Sequence, residues 1–388
     1  MRTFILALVA ACSPQEPPGT AIDTGGLSDV PTSASCDDFS GTEHDALGAG
    51  SPPDPYLLCN ADQLDSLRLS GSTISKGKHY RLGADIDLGG MDFGRGIGYC
   101  DEIFSDASGG FRGTFDGDGH TLSNLTLFHP GPQAGFFGCI NGGELRNIVF
   151  DRPSNTWPGG SELQDGYWRG VAAGYGVNAT FEDVHVLNGV VQGSQRVGGI
   201  VGTARSSTAI RVSFGGGDPG SGPGGEVTGS GSVGGLVGLI EWTSVWDSYA
   251  WGTVTADLLA GGLFGHANAL LDDMAICRSY AAVDIAIVGV EDDPRPGRVV
   301  GKISGEPTFG SVSGEGPCAG SDEAWTVFGM DSDTSDASAI SGSGEPVGNA
   351  QSHTFEELCQ VDPYEAAGWD LEEGAWNPPS DGSPPTLR

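Results

Sequence analysis

The sequence is poor in positive charge: 18 Lys and Arg stand against 51 Asp and Glu, a formal net charge of −33. A surface of that sign repels phosphate backbones, which argues against nucleic acid as a partner. It favours solubility and could gather divalent cations. Long apolar runs are missing as well. The run Phe4 to Ala11 is too short to span a bilayer. Several catalytic signatures are absent. None of the seven His residues opens a His-Glu-x-x-His motif, and His353-Thr-Phe-Glu356-Glu357 has the residue types in the wrong order. There is no Gly-x-Ser-x-Gly elbow, no Walker A sequence, no dinucleotide fingerprint and no Cys-x-x-Cys pair. Finally, 66 Gly and 23 Pro leave little room for a helical bundle, because both residues sit badly in helix interiors.

What is present begins with export. Met1-Arg2-Thr3 followed by the apolar run reads as a signal peptide over residues 1–11. Val9-Ala10-Ala11-Cys12 resembles the lipobox of bacterial lipoproteins, which implies lipidation of Cys12 and a membrane link through that anchor. Residues 12–55, rich in Pro, Ser, Gly, Thr and Asp, read as a flexible tether. An exported chain permits disulfides. Cys36, Cys59, Cys100, Cys139, Cys277, Cys318 and Cys359 remain, an odd number that leaves one thiol unpaired or intermolecular. Similar separations of 39 and 41 residues suggest Cys100–Cys139 and Cys277–Cys318.

Internal repeats dominate the rest of the chain. A glycine-rich hexamer recurs as Gln133 to Gly138, Val171 to Gly176, Val197-Gly-Gly-Ile-Val-Gly202, Val233-Gly-Gly-Leu-Val-Gly238 and Ala260-Gly-Gly-Leu-Phe-Gly265, with a worn copy ending at Gly301. The final glycines are 38, 26, 36, 27 and 36 residues apart. A strand-sized companion follows each of the first five, beginning at Leu145, Phe181, Ile210, Val245 and Ile276. No companion has a hairpin partner across a two-residue turn. Stacking like elements from successive repeats would pair them in parallel and bury a continuous core. The expected fold is therefore all-β, a parallel β-helix over residues 56–310, right-handed by the usual sense of parallel crossovers. A β-propeller is the alternative, and the uneven spacing fits it less well. Asn60-Ala-Asp-Gln63 reads as a capping box, with Leu64, Leu67 and Leu69 forming a short helix that closes one end. Residues 311–388 would close the other, with a short helix over His353 to Leu358 before Trp369 and Trp376.

These hexamers resemble the GLUG motif of bacterial surface and secreted proteins. Tyr80 to Leu88, Phe111 to Leu122 and the ending from Trp376 to Arg388 resemble the segments that flank it. The resemblance implies an extracellular, pectin-lyase-like β-helix. Such repeats occur in adhesin-like proteins and in the non-catalytic region of IgA-specific metalloproteases. No single activity follows from it, because folds host many functions.

The expected role is adhesion, scaffolding or glycan binding at the cell envelope, lipid-anchored on the outer membrane or surface, or outside the cell. The partner would be a glycan or a cell-surface protein. The alternative is a polysaccharide lyase or glycoside hydrolase, whose carboxylates would have to converge from separate coils. No catalytic residue is singled out. The candidate ligand-binding residues are Trp242, Trp246 and Trp251, which could form a flat platform. Asp116-Gly-Asp118-Gly119 could bind calcium, but it lacks the later ligands of an EF-hand loop and reads first as a tight turn.

Overall fold

The computed structural model describes residues 35–388, apart from 71–74, 101–108, 158–166, 217–221, 270–273, 290–293, 310–317, 319–326, 332–335, 343–349 and positions 38, 95, 130, 223, 307, 338, 339 and 381. The signal segment 1–11 and Cys12 lie outside the described residues. Those that are described are mostly β, arranged in long parallel sheets. A propeller's antiparallel blades are excluded, because every strand pairing between successive repeats is parallel.

The chain visits three sheets in the same order in each repeat. A short strand such as Arg196–Gly198 joins the first sheet, and Val201–Arg205 joins the second. Thr208–Gly215 then enters the large sheet. The main column of that sheet runs ten strands deep, from Tyr56–Leu58 to Ala350–Thr354. Stacking thus continues past residue 310 through Val327–Asp331 and Ala350–Thr354.

Each glycine hexamer is the corner between the first and second sheets. Its fourth position points inward: Ile200, Leu236 and Leu263 are fully buried, each worth about 1.5–3 kcal/mol. Its glycines are needed for space. A Cβ on Gly198 would lie 2.2 Å from the Val201 carbonyl oxygen, and one on Gly202 would lie 2.5 Å from the Arg169 nitrogen. The register also moves one hexamer. Ala173 pairs with Phe137 and with Val201, so the second copy is Arg169 to Gly174, two residues before the one expected at Val171 to Gly176. Gly174 then makes the same close approach as Gly202, with its Cβ position 2.5 Å from the Ala134 nitrogen.

The companion strands carry a kink two residues after their first inward residue. Asn147, Asp183, Arg211, Asp247 and Arg278 all adopt φ between 43° and 53°. Asn and Asp tolerate this left-handed region. The two arginines are held there by carboxylates: Arg211 by Asp183 at 2.6 Å and Arg278 by Asp247 at 2.5 Å. Each kink breaks the alternation of the strand, so Leu145, Ile148 and Phe150 all face the core. It also corrects the third companion. Ala209, not Ile210, pairs with Phe181, because Arg211 must share the kink with Asp183.

The first end is covered by a helix. Helix α1, Ala61–Leu69, starts at Asn60, whose side chain accepts from the Gln63 N–H at 3.0 Å, while Gln63 accepts from the Cys59 N–H at 2.7 Å. Leu64 and Leu67 are buried, whereas Leu69 is exposed. Residues 35–55, expected within the tether, pack here. A Cys36–Cys59 disulfide and a bond from Gln63 to the Glu43 carbonyl fix them. After the last strand of the column α2, Phe355–Leu358, has a full capping box between Thr354 and Glu357 and leads to α3, Asp362–Ala366, which packs with Phe328 on the outer side of the large sheet. The tail beyond lies on the outer face of the large sheet. Trp376 packs on the stacked pair Tyr249–Tyr280 and donates to Asp247 at 3.1 Å. The two expected disulfides, Cys100–Cys139 and Cys277–Cys318, are both present, and among the described residues Cys359 is the free thiol. Among the described residues no helix is long and apolar enough to cross a membrane.

Candidate binding groove

Outward side chains of two sheets meet only where the surface folds inward, and the hexamer corner is such a place. Trp168 of the first sheet contacts Tyr175 of the second, with ring centroids 4.9 Å apart. Arg196 of the first sheet lies over Trp168 at 5.3 Å, and its charge reaches both Glu241 and Tyr175 of the second. The hexamer glycines create this closeness by letting one sheet's backbone abut the other's.

The floor of the groove is the column Cys139, Tyr175, Thr203, Leu239, His266 and Lys302, one residue from each repeat. None of them joins the main core. The rim is Asn141, Val177, Arg205, Glu241, Asn268 and Ser304. The facing column of the first sheet is Gln133, Trp168, Arg196, Ser232, Leu259 and Arg295. Glu241 is the one carboxylate in these three columns, and it accepts from Asn268 at 3.1 Å.

The groove shifts its own titrations. Burial pushes the His266 imidazole down to about 4, with Lys302 and Arg196 adding repulsion. His266 is therefore neutral at pH 7, and its Nε2 lies 2.9 Å from the Ser304 hydroxyl. Burial raises the Tyr175 phenol, against the pull of Arg205. Trp168, Tyr175, Thr203 and Leu239 are buried, so what the corner presents to solvent is its half-buried rim: guanidinium groups, the Glu241 carboxylate and the Asn141 and Asn268 carboxamides.

The three tryptophans singled out in the sequence are half-buried and lie on different segments. Trp242 sits in the turn after the rim, at φ 49°, with Arg205 over its ring at 4.7 Å. A bulky residue in the left-handed region is rare. Trp246 lies on the outer face of the large sheet, in the column of Arg146, Glu182, Ile210 and Cys277. Trp251 is one kink and about 16 Å further along the strand, packed against Phe355 of the tail at 5.4 Å. Among the described residues no ring contact joins the three, and only Trp242 belongs to the groove.

Several carboxylates on the large sheet are engaged. Asp116 accepts from Arg146, from Asn147 and from the Asp118 N–H. Burial alone would raise it, but these bonds hold it below the usual carboxylate range. The Asp116-Gly-Asp118-Gly119 segment is a tight turn with Asp118 at φ 51°. Glu182 and Asp183 both bind Arg211. A Glu43, His44 and Asp45 group near α1 brings three ligand atoms together, but His44 Nδ1 already lies 3.0 Å from the Ser66 hydroxyl.

No protein-family model matches the chain. Over 174 residues, 43% of the chain, it is 32% identical to Halomucin of Haloquadratum walsbyi, and it spans about 2% of the length of that curated relative. Among solved structures it is similar to a candidate immunoglobulin A1 protease from Bacteroides ovatus. The TM-score is 0.52 at 22% identity, over 88% of this chain and 94% of that one. At that identity the likeness concerns the fold.

Proposed function

We propose that this chain is a surface or secreted protein built as a right-handed parallel β-helix of GLUG type, and that it binds a glycan in the groove at the hexamer corner. The observation that carries this reading is the line of half-buried polar and charged side chains Arg196, Arg205, Glu241 and Asn268, with Trp242 beside them, along the hexamer corner. A half-buried aromatic ring, Trp242, beside hydrogen-bonding groups suits a sugar ring. Three disulfides support an oxidising, extracellular setting, and similarity to Halomucin and to the Bacteroides ovatus protein fits it. Lipidation at Cys12 would hold the body at the membrane. The lyase or hydrolase alternative asks for converging carboxylates, and the groove columns offer Glu241 alone among the described residues. A glycan array read beside a sugar-release assay tests the proposal. Retention without release is expected, whereas release of oligosaccharides would make the protein an enzyme.

A further inference from the structure

We propose that the chain pairs with a second copy of itself, edge to edge, through the strand Ala350–Thr354 at the last end of the stack. Every sheet edge carries backbone N–H and C=O groups that lack partners within the sheet. The main column of the large sheet ends in two such edges, and the chain treats them differently. At the first, Tyr56–Leu58, the Leu57 N–H donates to the Leu47 carbonyl at 3.0 Å, and α1 lies over the core behind it. At the last, Ala350–Thr354 pairs with Val327–Asp331 on one side. Among the described residues nothing bonds to its backbone from the other side, save that the Thr354 N–H is spent on Glu357 at 2.8 Å. The helices α2 and α3 and the tail turn away from this edge to the outer face of the sheet. Gln351 and Thr354 are exposed, and Ala350, Ser352 and His353 are half-buried.

The residues of the strand say what can fill the edge. Edges that stay bare usually carry a charge, a proline or a bulge. Ala350-Gln-Ser-His-Thr354 has no Lys, Arg, Asp, Glu or Pro, in a chain with 51 acidic residues. A second copy running antiparallel about Ser352 sets Gln351 opposite His353 and Ala350 opposite Thr354, so no like charges face each other. The strand is therefore compatible with itself across a two-fold axis. Head-to-tail stacking is closed off, because α1 and the Leu47 carbonyl occupy the first end. The assembly is thus a closed dimer rather than a filament. A five-residue strand is a small contact, so the dissociation constant should be on the order of 10 µM. A net charge of −33 on each copy opposes the pairing, and salt screens that repulsion.

The test uses the full chain in analytical ultracentrifugation from about 1 to 200 µM, at about 0.1 and 1 M NaCl. A monomer–dimer equilibrium is expected, tighter at high salt. Ten strands at about 4.8 Å make each stack about 50 Å long, so small-angle scattering of the dimer should show a particle longer by about 50 Å. Gln351→Lys with His353→Lys should weaken pairing at least about tenfold, and Gln351→Glu with His353→Glu should do the same. Mixing these two variants should restore a dimer, because each Lys then faces a Glu. Gln351→Lys alone, at an exposed position, keeps the test valid should a double variant misfold. Thr253→Lys, exposed on the side of the stack, should leave pairing unchanged. Any of four results would overturn the proposal: a monomer at every concentration and salt, a dimer linked through Cys359 on a non-reducing gel, a dimer no longer than the monomer, or charge changes that neither block pairing nor restore it on mixing.

Discussion

Arg169 offers a sharp test of how the interior is held. It occupies an inward position whose neighbours in register are Ala134 and Val197, and it is fully buried. Its Nη1 donates to Asn155 Oδ1 at 2.6 Å and its Nη2 to the His129 carbonyl. Asn155 in turn donates to the Ala134 and Gly170 carbonyls at 2.9 and 3.0 Å. No carboxylate reaches the guanidinium among the described residues, and burial pulls its pKa down to about 10. That depression costs the folded state about 3 kcal/mol at neutral pH. Asn155→Leu should therefore destabilise by about 3–5 kcal/mol, because it strands a buried charge and frees two carbonyls. Arg169→Met should be near neutral: relief of the charge offsets the orphaned Asn155 oxygen, worth about 1–3 kcal/mol. The double variant should equal or exceed wild type in stability, because apolar packing replaces a desolvated polar pair. Urea unfolding followed by circular dichroism measures all three. A harmless Asn155→Leu, or an Arg169→Met that costs more than about 3 kcal/mol, would refute the reasoning.

Other outcomes follow from single features. His266 is depressed in the folded state, so the protein should lose stability as pH falls from about 6.5 through 4, by up to about 2 kcal/mol. Thermal melting across that range should show a shallower slope for His266→Gln. Gly202→Ala forces a Cβ within 2.5 Å of backbone and should cost about 3 kcal/mol, whereas Gly222→Ala, with open space, should be silent in the same melts. Removing Cys277–Cys318, which spans 41 residues, should cost about 4 kcal/mol by denaturant titration. Trp376→Ala should cost about 3–5 kcal/mol and raise tail cleavage by chymotrypsin at sites such as Tyr364 and Trp369, because it uncovers Tyr249 and Tyr280 and leaves Asp247 short of a donor.

The parallel stacking was legible because it depends on local chemistry that repeats. Glycine at the corner and a large apolar residue at its fourth position recur wherever two backbones must touch around a core, and Val197 to Gly202 states both. Asn60 and Gln63 announced α1 for a similar reason, since a helix start needs its donors matched within four residues. The copies misplaced by one or two residues are those where chemistry at a distance decides. Ile210 is the natural apolar start of its strand, yet Ala209 takes the inner position because Arg211 must meet Asp183 on the preceding strand. Nothing within either strand alone encodes that bond.

The groove was hidden by the same kind of displacement. With the second hexamer set at Val171 to Gly176, Tyr175 counts as a corner residue and Trp168 as part of a loop. Moved to Arg169 to Gly174, the pattern places Tyr175 one residue after the final glycine, level with Cys139 and Thr203, and places Trp168 one residue before the hexamer, level with Gln133 and Arg196. Both positions point outward, toward each other. The signal lay in the residues that flank the glycines. It is weak in sequence because a column outside the main core is free to vary from repeat to repeat, while a corner cannot vary without a steric clash. The three tryptophans were conspicuous for the opposite reason: they are close in sequence. A kink, a turn and a covering tail keep their rings apart, and the one that reaches the groove, Trp242, does so from a backbone conformation that its residue type does not announce.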